Sequence, residues 1–224
     1  MGAGMGRIVE VTEPGALLES VYRSVLEPNF PAAELETYQD LATGLASTTT
    51  VFAALDVAGN PIAAAVGNHW APHPVVLLTY LAVTRGLRGS GLGGGILEHA
   101  LDAWQRRYRP HVIVAETEDP ACHGPHPLYG DPTRRWSFYC GHGARVILLP
   151  YVQPEVRTGC GRREGMRLIA LRLGDAERGI DTAIFRGFLR TYFEACEGRP
   201  PVDAATGRIF AALQEPYVRP APLC

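Results

Sequence analysis

The stretch Arg88-Gly89-Ser90-Gly91-Leu92-Gly93 has the residue types of an anion cradle. It leaves an apolar segment, Val75 to Val83, and opens a segment whose Leu92, Ile96, Leu97, Ala100, Leu101 and Trp104 recur at helical spacing. A turn of that kind points several backbone N–H groups outward, beside the positive end of the helix dipole. Glycine lacks the Cβ that would hold the backbone away from a pyrophosphate. Arg88 adds a permanent positive charge. Five glycines in the seven positions from Gly89 to Gly95 lose folding entropy that packing alone rarely justifies. Pyrophosphate binding is the chemistry this turn predicts.

Two nucleotide motifs compete for the same residues. A Walker A loop needs Gly-Lys-Ser/Thr, and all 21 basic residues here are arginine. The dinucleotide fingerprint GxGxxG is met by Gly89, Gly91 and Gly94, with Glu116 ending a later strand. Against a Rossmann fold, five residues, Thr84 to Arg88, separate Val83 from Gly89. A strand, two helices and a hairpin precede the motif, and a single βα unit follows it, too few for a doubly wound sheet. A third chemistry, metal binding, would draw on Cys122-His123 with His126, or on Cys140 with His142. These spacings fit no structural zinc pattern, so no metal is predicted. The five cysteines are odd in number and irregularly spaced, which predicts no disulfide framework.

The elements that must position the turn can be read from periodicity. Arg7 to Thr12 alternates as a strand, and Leu17, Leu18, Val21, Tyr22, Val25 and Leu26 mark a helix that Pro28 and Pro31 end. A second helix is expected over 32–46. The β-branched run from Thr48 to Asp56, the turn Ala58-Gly59-Asn60-Pro61 and Ile62 to Trp70 predict a hairpin. Val75 to Val83 is nearly all apolar, as a strand covered on both faces must be. After the glycine turn and its helix come a buried strand at 111–117 and a loop rich in Pro, Gly and His at 119–133. A short helix follows at 136–140, then strands at 145–151 and 166–173. Beyond Gly174, Asp181 is placed to cap a helix whose Ile184, Phe185, Phe188, Leu189, Tyr192 and Phe193 share a face. That helix should end near Gly198, and another is expected from Asp203 to Leu213. The order β-α-α-β-β-β-α-β-α-β-β predicts an α/β or α+β fold with a mixed sheet.

Composition narrows the class further. A chain of 224 residues, 46% hydrophobic and 20% charged, suits one globular domain with an appended element. Net charge is −2 and the arginines are scattered, which excludes a nucleic-acid stripe. No apolar run approaches the ~20 residues that span a bilayer, so no membrane partner is expected. The first seven residues lack the apolar stretch of a signal peptide. Gly6 stands where a myristoylation motif wants Ser or Thr. A cytoplasmic location follows as the expectation.

Val83, Arg88, Gly89, Gly91 and Gly93 fill, without a gap, the pattern Val-x-x-x-x-Arg-Gly-x-Gly-x-Gly of the GNAT acyltransferase superfamily, which this segment resembles. Downstream, Phe138-Tyr139-Cys140-Gly141-His142-Gly143-Ala144 looks like the family's short helix, and the two signals fall in the expected order. The resemblance spans roughly 48–173. It implies a mixed, mostly antiparallel central sheet with splayed central strands, flanked by helices. The acyltransferase domain would cover 1–173, and 174–224 would be a helical extension packed on it.

By that resemblance acetyl-CoA is the co-substrate. Backbone groups of Leu81, Ala82 and Val83 would meet the pantetheine arm, and Arg88, Gly89, Ser90, Gly91, Leu92 and Gly93 the pyrophosphate. Tyr139 matches the tyrosine that protonates the departing thiolate; a phenol of pKa about 10 holds its proton at neutral pH. An alkylammonium of similar pKa must lose a proton before it attacks. Glu116 and Glu118 lie at the end of the strand where relatives keep an acidic residue, two apart and on one face. Glu116, nearer the buried strand and expected to have a raised pKa, is the chosen base; Glu118, Asp119, His123 and His126 are the other candidates. Asn68, His69, Trp70, His73 and Tyr80 are expected on the acceptor side. Their aromatic and imidazole character favours a small-molecule or amino-acid-like amine, acetylated by direct transfer in a ternary complex. The helix carrying Phe185, Phe188 and Tyr192 has three available roles: sheet cover, pocket lid or homodimer contact. A non-catalytic acyl-CoA-binding regulatory module is the alternative function.

Overall fold

The computed structural model describes residues 5–175 and 178–224; the first four residues of the stretch read for a signal peptide lie outside them. The chain forms two compact units, Met1–His69 with Leu78–Arg107, and Trp70–Leu77 with Tyr108–Cys224.

In the first unit, β1 (Met5–Val11), β2 (Thr49–Asp56) and β3 (Pro61–His69) form an antiparallel meander. Val9 lies opposite Ala53, and Ala53 opposite Ala64. The β2–β3 turn closes on Asp56, whose carboxylate accepts the N–H of Ala58 at 2.9 Å and of Asn60 at 2.8 Å. Gly59 takes the left-handed φ of 89° that this turn requires. Strand β4 (Val75–Val83) begins in the second unit and finishes in the first. One face of the meander is covered by α1 (Ala16–Val21) and its π-helical continuation Tyr22–Leu26, where the Glu27 N–H reaches Tyr22 O at 2.8 Å. Leu18, Val21, Val25 and Leu26 pack there against Val51, Ala53, Ala64 and Val66.

The helix expected over 32–46 is shorter. Here α2 runs Tyr38–Gly44, because Thr37 and Asp40 close a capping box that starts the helix at that point. Residues 31–37 instead form a turn and loop. Helix α3 (Leu92–Tyr108) lays Trp104, fully buried, on Gly67 and beside Phe52. A Cβ on Gly67 would stand 2.3 Å from the indole, so only glycine lets the two elements approach this closely.

In the second unit, β5 (Val112–Glu118), β7 (Met166–Leu173), β6 (Arg145–Ile147) and β10 (Ala221–Pro222) lie in that order, each pair antiparallel. The strand expected to reach Tyr151 ends at Ile147. Tight turns follow, from Leu149 N–H to Ile147 O at 2.9 Å and from Tyr151 N–H to Leu149 O at 2.8 Å. Helix α4 (Pro132–Gly141) is capped by Asp131, with Pro132 at its first position. Two short strands, β8 (Ile180–Asp181) and β9 (Tyr217–Val218), pair with each other.

Helix α5 (Thr182–Glu197) starts on Asp181, which accepts the N–H groups of Ala183 and Ile184, and stops at Gly198 with φ 65°. Its Phe185, Phe188, Leu189, Tyr192 and Phe193 pack against Val112, Val114, Leu168 and Ala170. Each large apolar side chain buried this way contributes about 1.5–3 kcal/mol, so α5 belongs to this unit's core. Arg162 clamps the end of α5 to the cap of α6 (Ala204–Ala211), with Glu197 at 2.6 Å and Asp203 at 2.7 Å.

The cysteine expectation is corrected. Cys140 and Cys224 are joined in a disulfide, and Cys122, Cys160 and Cys196 are in none. The partners are 84 residues apart, a distance that spacing rules do not see. The tail is also held by the Trp136 indole N–H on Leu223 O at 2.8 Å and by Arg145 on Pro220 O at 3.1 Å.

Candidate functional site

In the first unit the glycine turn sits where the physics requires. After β4, a single 3₁₀ turn at Arg85–Leu87 leads into Arg88, and α3 begins at Leu92. Gly89 and Gly91 have φ of 80° and 87°, left-handed values that L side chains rarely adopt. A Cβ built on either meets nothing within 4 Å, so the outer side of the turn is open to a ligand. The Gly91 carbonyl accepts the Gly95 N–H at 3.1 Å, which makes Gly91 the residue before the helix. The first N–H groups of α3 therefore lack intrahelical partners. Ser90 turns its hydroxyl back onto Leu87 O at 2.6 Å and stiffens the turn. Arg88 donates to the side chain of buried Asn29, which is itself fixed by donating to Val25 O at 2.7 Å. Arg85 donates to Pro28 O at 2.5 Å. The turn is thus braced by the segment that follows the first helix, a contact that no local motif announces.

Upstream in the same unit, Ala82 is buried against that helix, while Leu81 and Val83 are half-buried. Tyr80 also belongs to this core: its hydroxyl accepts the Glu36 N–H at 2.9 Å and its ring meets Phe30 edge-on. Asn68 accepts from Thr79 at 3.1 Å. Glu36 is half-buried, and desolvation aided by the Asp40 charge pushes its carboxyl up to about 7.

The second unit holds the carboxylates. Strand β5 does continue to Glu118, so Glu116 and Glu118 share the face of Val112 and Val114. Their surroundings differ. Glu118 is gripped by two guanidinium groups, Arg135 at 2.6 Å and Arg163. Asp119 pairs with Arg167 at 2.7 Å and accepts the Ala121 N–H at 2.9 Å; against burial, which acts the other way, these hydrogen bonds hold its carboxyl below the usual range. Both carboxylates are thus committed to arginine partners. His123 is half-buried, with Nε2 3.0 Å from Glu164 O, and His126 stacks on Tyr129.

Glu116 has no cationic partner among its hydrogen bonds. It accepts from the Tyr151 hydroxyl on Oε1, and from Gln153 at 2.7 Å and the Tyr192 hydroxyl at 2.9 Å on Oε2. Burial raises its pKa, and the three donors oppose that rise without cancelling it. The residue as a whole is half-buried. A carboxylate offers about four acceptor positions; three are used, which leaves one on Oε1. Sequence reasoning singles out Tyr192 only as a residue of the C-terminal helix face, and it misses Tyr151 and Gln153. Tyr151, Gln153 and Tyr192 lie 35, 37 and 76 residues away, and no spacing signal links them to Glu116.

Trp70 and His73, two of the expected acceptor-side residues, sit on α5. Trp70 meets Phe188 and Tyr192 edge-on at 5.9 and 5.2 Å, with its buried indole N–H unpaired. The His73 ring lies over Gly187 and is 3.3 Å from Thr191 Oγ1. Tyr139, on α4, is buried, and desolvation pushes its phenol up to about 12. Among the described residues no cluster of three or more His, Cys, Asp or Glu forms a metal site, and no helix is long and apolar enough to cross a membrane.

No protein-family model matches the sequence, and no curated protein does either. Solved structures do match. One, assigned to the GNAT acetyltransferases and from Bacteroides thetaiotaomicron, aligns with a TM-score of 0.59 at 20% identity, over 84% of this chain and 98% of that one. The ribosomal-protein-S18-alanine N-acetyltransferase of Escherichia coli gives 0.52 at 17% identity, over 75% and 94%. A chimeric spermidine N-acetyltransferase from Vibrio cholerae gives 0.51 at 13%, over 75% and 96%. The fold is therefore the GNAT fold that the two motifs imply. Its antiparallel strand pairs also exclude the doubly wound Rossmann alternative.

Proposed function

We propose that the chain is an acetyl-CoA-dependent N-acetyltransferase acting on a small-molecule or amino-acid-like amine, with residues 1–173 as the acyltransferase domain and 174–224 as an extension. The observation that carries this reading is the open turn Arg88 to Gly93 ahead of α3, in a chain with the GNAT fold. Its left-handed glycines leave space where any side chain would stand, and unpaired helix N–H groups suit a pyrophosphate. Backbone groups of Leu81 to Val83 are assigned to the pantetheine arm by resemblance. When bound, acetyl-CoA supplies an activated thioester.

The residues of the chain then divide the proton work. Glu116 combines a raised proton affinity with one acceptor position left on Oε1, the attributes of a general base. Tyr139, held near 12, keeps its proton throughout the physiological range and serves as the acid. The opposite demands on the two groups support this division of roles. The test is a thiol-release assay with acetyl-CoA and a panel of small amines and amino acids. Release dependent on one amine class is expected. Tight acetyl-CoA binding without release for any amine would favour the regulatory module, and thermal protection by NAD instead of acetyl-CoA would overturn the cofactor assignment.

A further inference from the structure

We infer that the C-terminal extension is part of the catalytic machinery: Tyr192 of α5 is a positioning residue that orients Glu116 and sets its proton affinity. The inference rests on the acyltransferase reading above and assigns the extension a role in that same site.

The argument starts from what α5 needs for packing and what it carries besides. Phe185, Phe188, Leu189 and Phe193 fill the apolar contact with the sheet. Tyr192 occupies the same face and stacks on Phe188, ring planes 3° apart and centroids 5.8 Å apart. A phenylalanine would satisfy every one of those contacts. The hydroxyl adds something else, a hydrogen bond of 2.9 Å to Glu116 Oε2, across 76 residues of sequence. A polar atom on an otherwise apolar helix face is a desolvation cost unless it is paired, and the partner here is the carboxylate assigned as base.

The pairing also fixes geometry. Tyr192 and Gln153 both bond Oε2, while Tyr151 bonds Oε1. Two donors on one oxygen and one on the other hold the carboxylate plane and direct the remaining acceptor position to Oε1. Trp70 meets the Tyr192 ring edge-on at 5.2 Å and confines it. Each donor favours the ionised carboxylate against the desolvation that opposes it. Removing one should therefore raise the pH at which Glu116 gains its proton.

The experiment uses the full-length chain and two variants. Tyr192→Phe keeps the ring and deletes the hydroxyl; Tyr192→Leu deletes the ring as well. The readouts are the pH profile of acetyl transfer and the titration of Glu116, followed by NMR on protein carrying 13C at glutamate Cδ. The Glu116 signal is identified by its loss in Glu116→Gln. For Tyr192→Phe, the acid limb of kcat/KM and the Glu116 titration should both move to higher pH by about one unit, the scale of one hydrogen bond to a charged group. Activity at a pH well above the limb should fall less than activity below it. A Tyr192→Phe protein with an unmoved limb and unmoved titration, while Tyr192→Leu merely loses stability, would overturn the inference and leave Tyr192 as packing. Loss of the fold in Tyr192→Phe would overturn it equally, since a positioning hydroxyl is not required to fold. A wild-type chain that releases no thiol with any amine would sink the acyltransferase reading itself and the positioning role with it, whatever the titration shows.

Discussion

Gly91 offers the cleanest test of the cradle because the fold supplies its own control. Gly91 and Gly59 are both in the first unit, have φ of 87° and 89°, and have nothing within 4 Å of a built Cβ. Alanine at either position meets no clash and pays only for left-handed backbone, about 1–2 kcal/mol. For a chain of this size that lowers Tm by about 2–8 °C. The two variants should therefore melt alike without ligand. They should part when acetyl-CoA is added. At ~100 times Kd the wild type gains about 2.7 kcal/mol. The methyl of Gly91→Ala stands on the outer side of the turn and displaces the ligand from at least one backbone donor. A lost hydrogen bond to a charged group costs about 1.5–3 kcal/mol, tenfold or more in affinity. At the same ligand concentration the gain falls to about 1.4 kcal/mol, or half the thermal shift. Gly59→Ala should keep the full shift. Differential scanning fluorimetry with and without acetyl-CoA measures both. Equal melting points and equal ligand shifts in the two variants would refute the placement of the pyrophosphate at this turn.

Three further outcomes follow from other parts of the chain. Glu36 is held near 7, above its unfolded value of about 4.5, by desolvation and the Asp40 charge. Its contribution to stability is fully present below about 4.5 and is lost as pH rises through about 7. Glu36→Gln should therefore gain stability relative to wild type across that window, as urea midpoints would show; a constant difference from pH 4.5 to 8 would rule the effect out. Tyr139→Phe should lower kcat with little change in KM, because it removes a proton donor and not a binding contact. With the phenol held near 12, the wild-type profile should show no basic limb from Tyr139 below pH 10. Thiol titration of denatured, unreduced protein should count three thiols, Cys122, Cys160 and Cys196, rising to five on reduction; five from the start would show that Cys140 and Cys224 do not pair.

Local order carried much of the fold into the sequence. The hairpin of β2 and β3, the strand β4, the glycine turn, α3 and the short helix of Tyr139 were all legible, because each is specified by neighbours a few residues apart. So were the Asp181 and Gly198 ends of α5, since a cap is a bond between an element and its own next residue. Where local signals conflicted, the reading slipped. Past Ile147 the apolar run alternates exposed Leu148 with buried Leu149 and Tyr151, yet these reach the core through turns and not a strand, and apolar character alone does not distinguish the two.

The candidate site divides along the same line. The turn from Arg88 to Gly93 and the carboxylate of Glu116 were visible in the sequence, because backbone freedom and strand position are local properties. Which groups surround each carboxylate was decided only in three dimensions. Glu116 and Glu118 are two residues apart on one face of one strand, yet Glu118 meets two arginines, and Glu116 meets two phenols and an amide. Those partners come from 17 to 76 residues away. Proton affinity is set by charge, burial and hydrogen bonds summed over everything nearby, and what is nearby is a property of the packed chain.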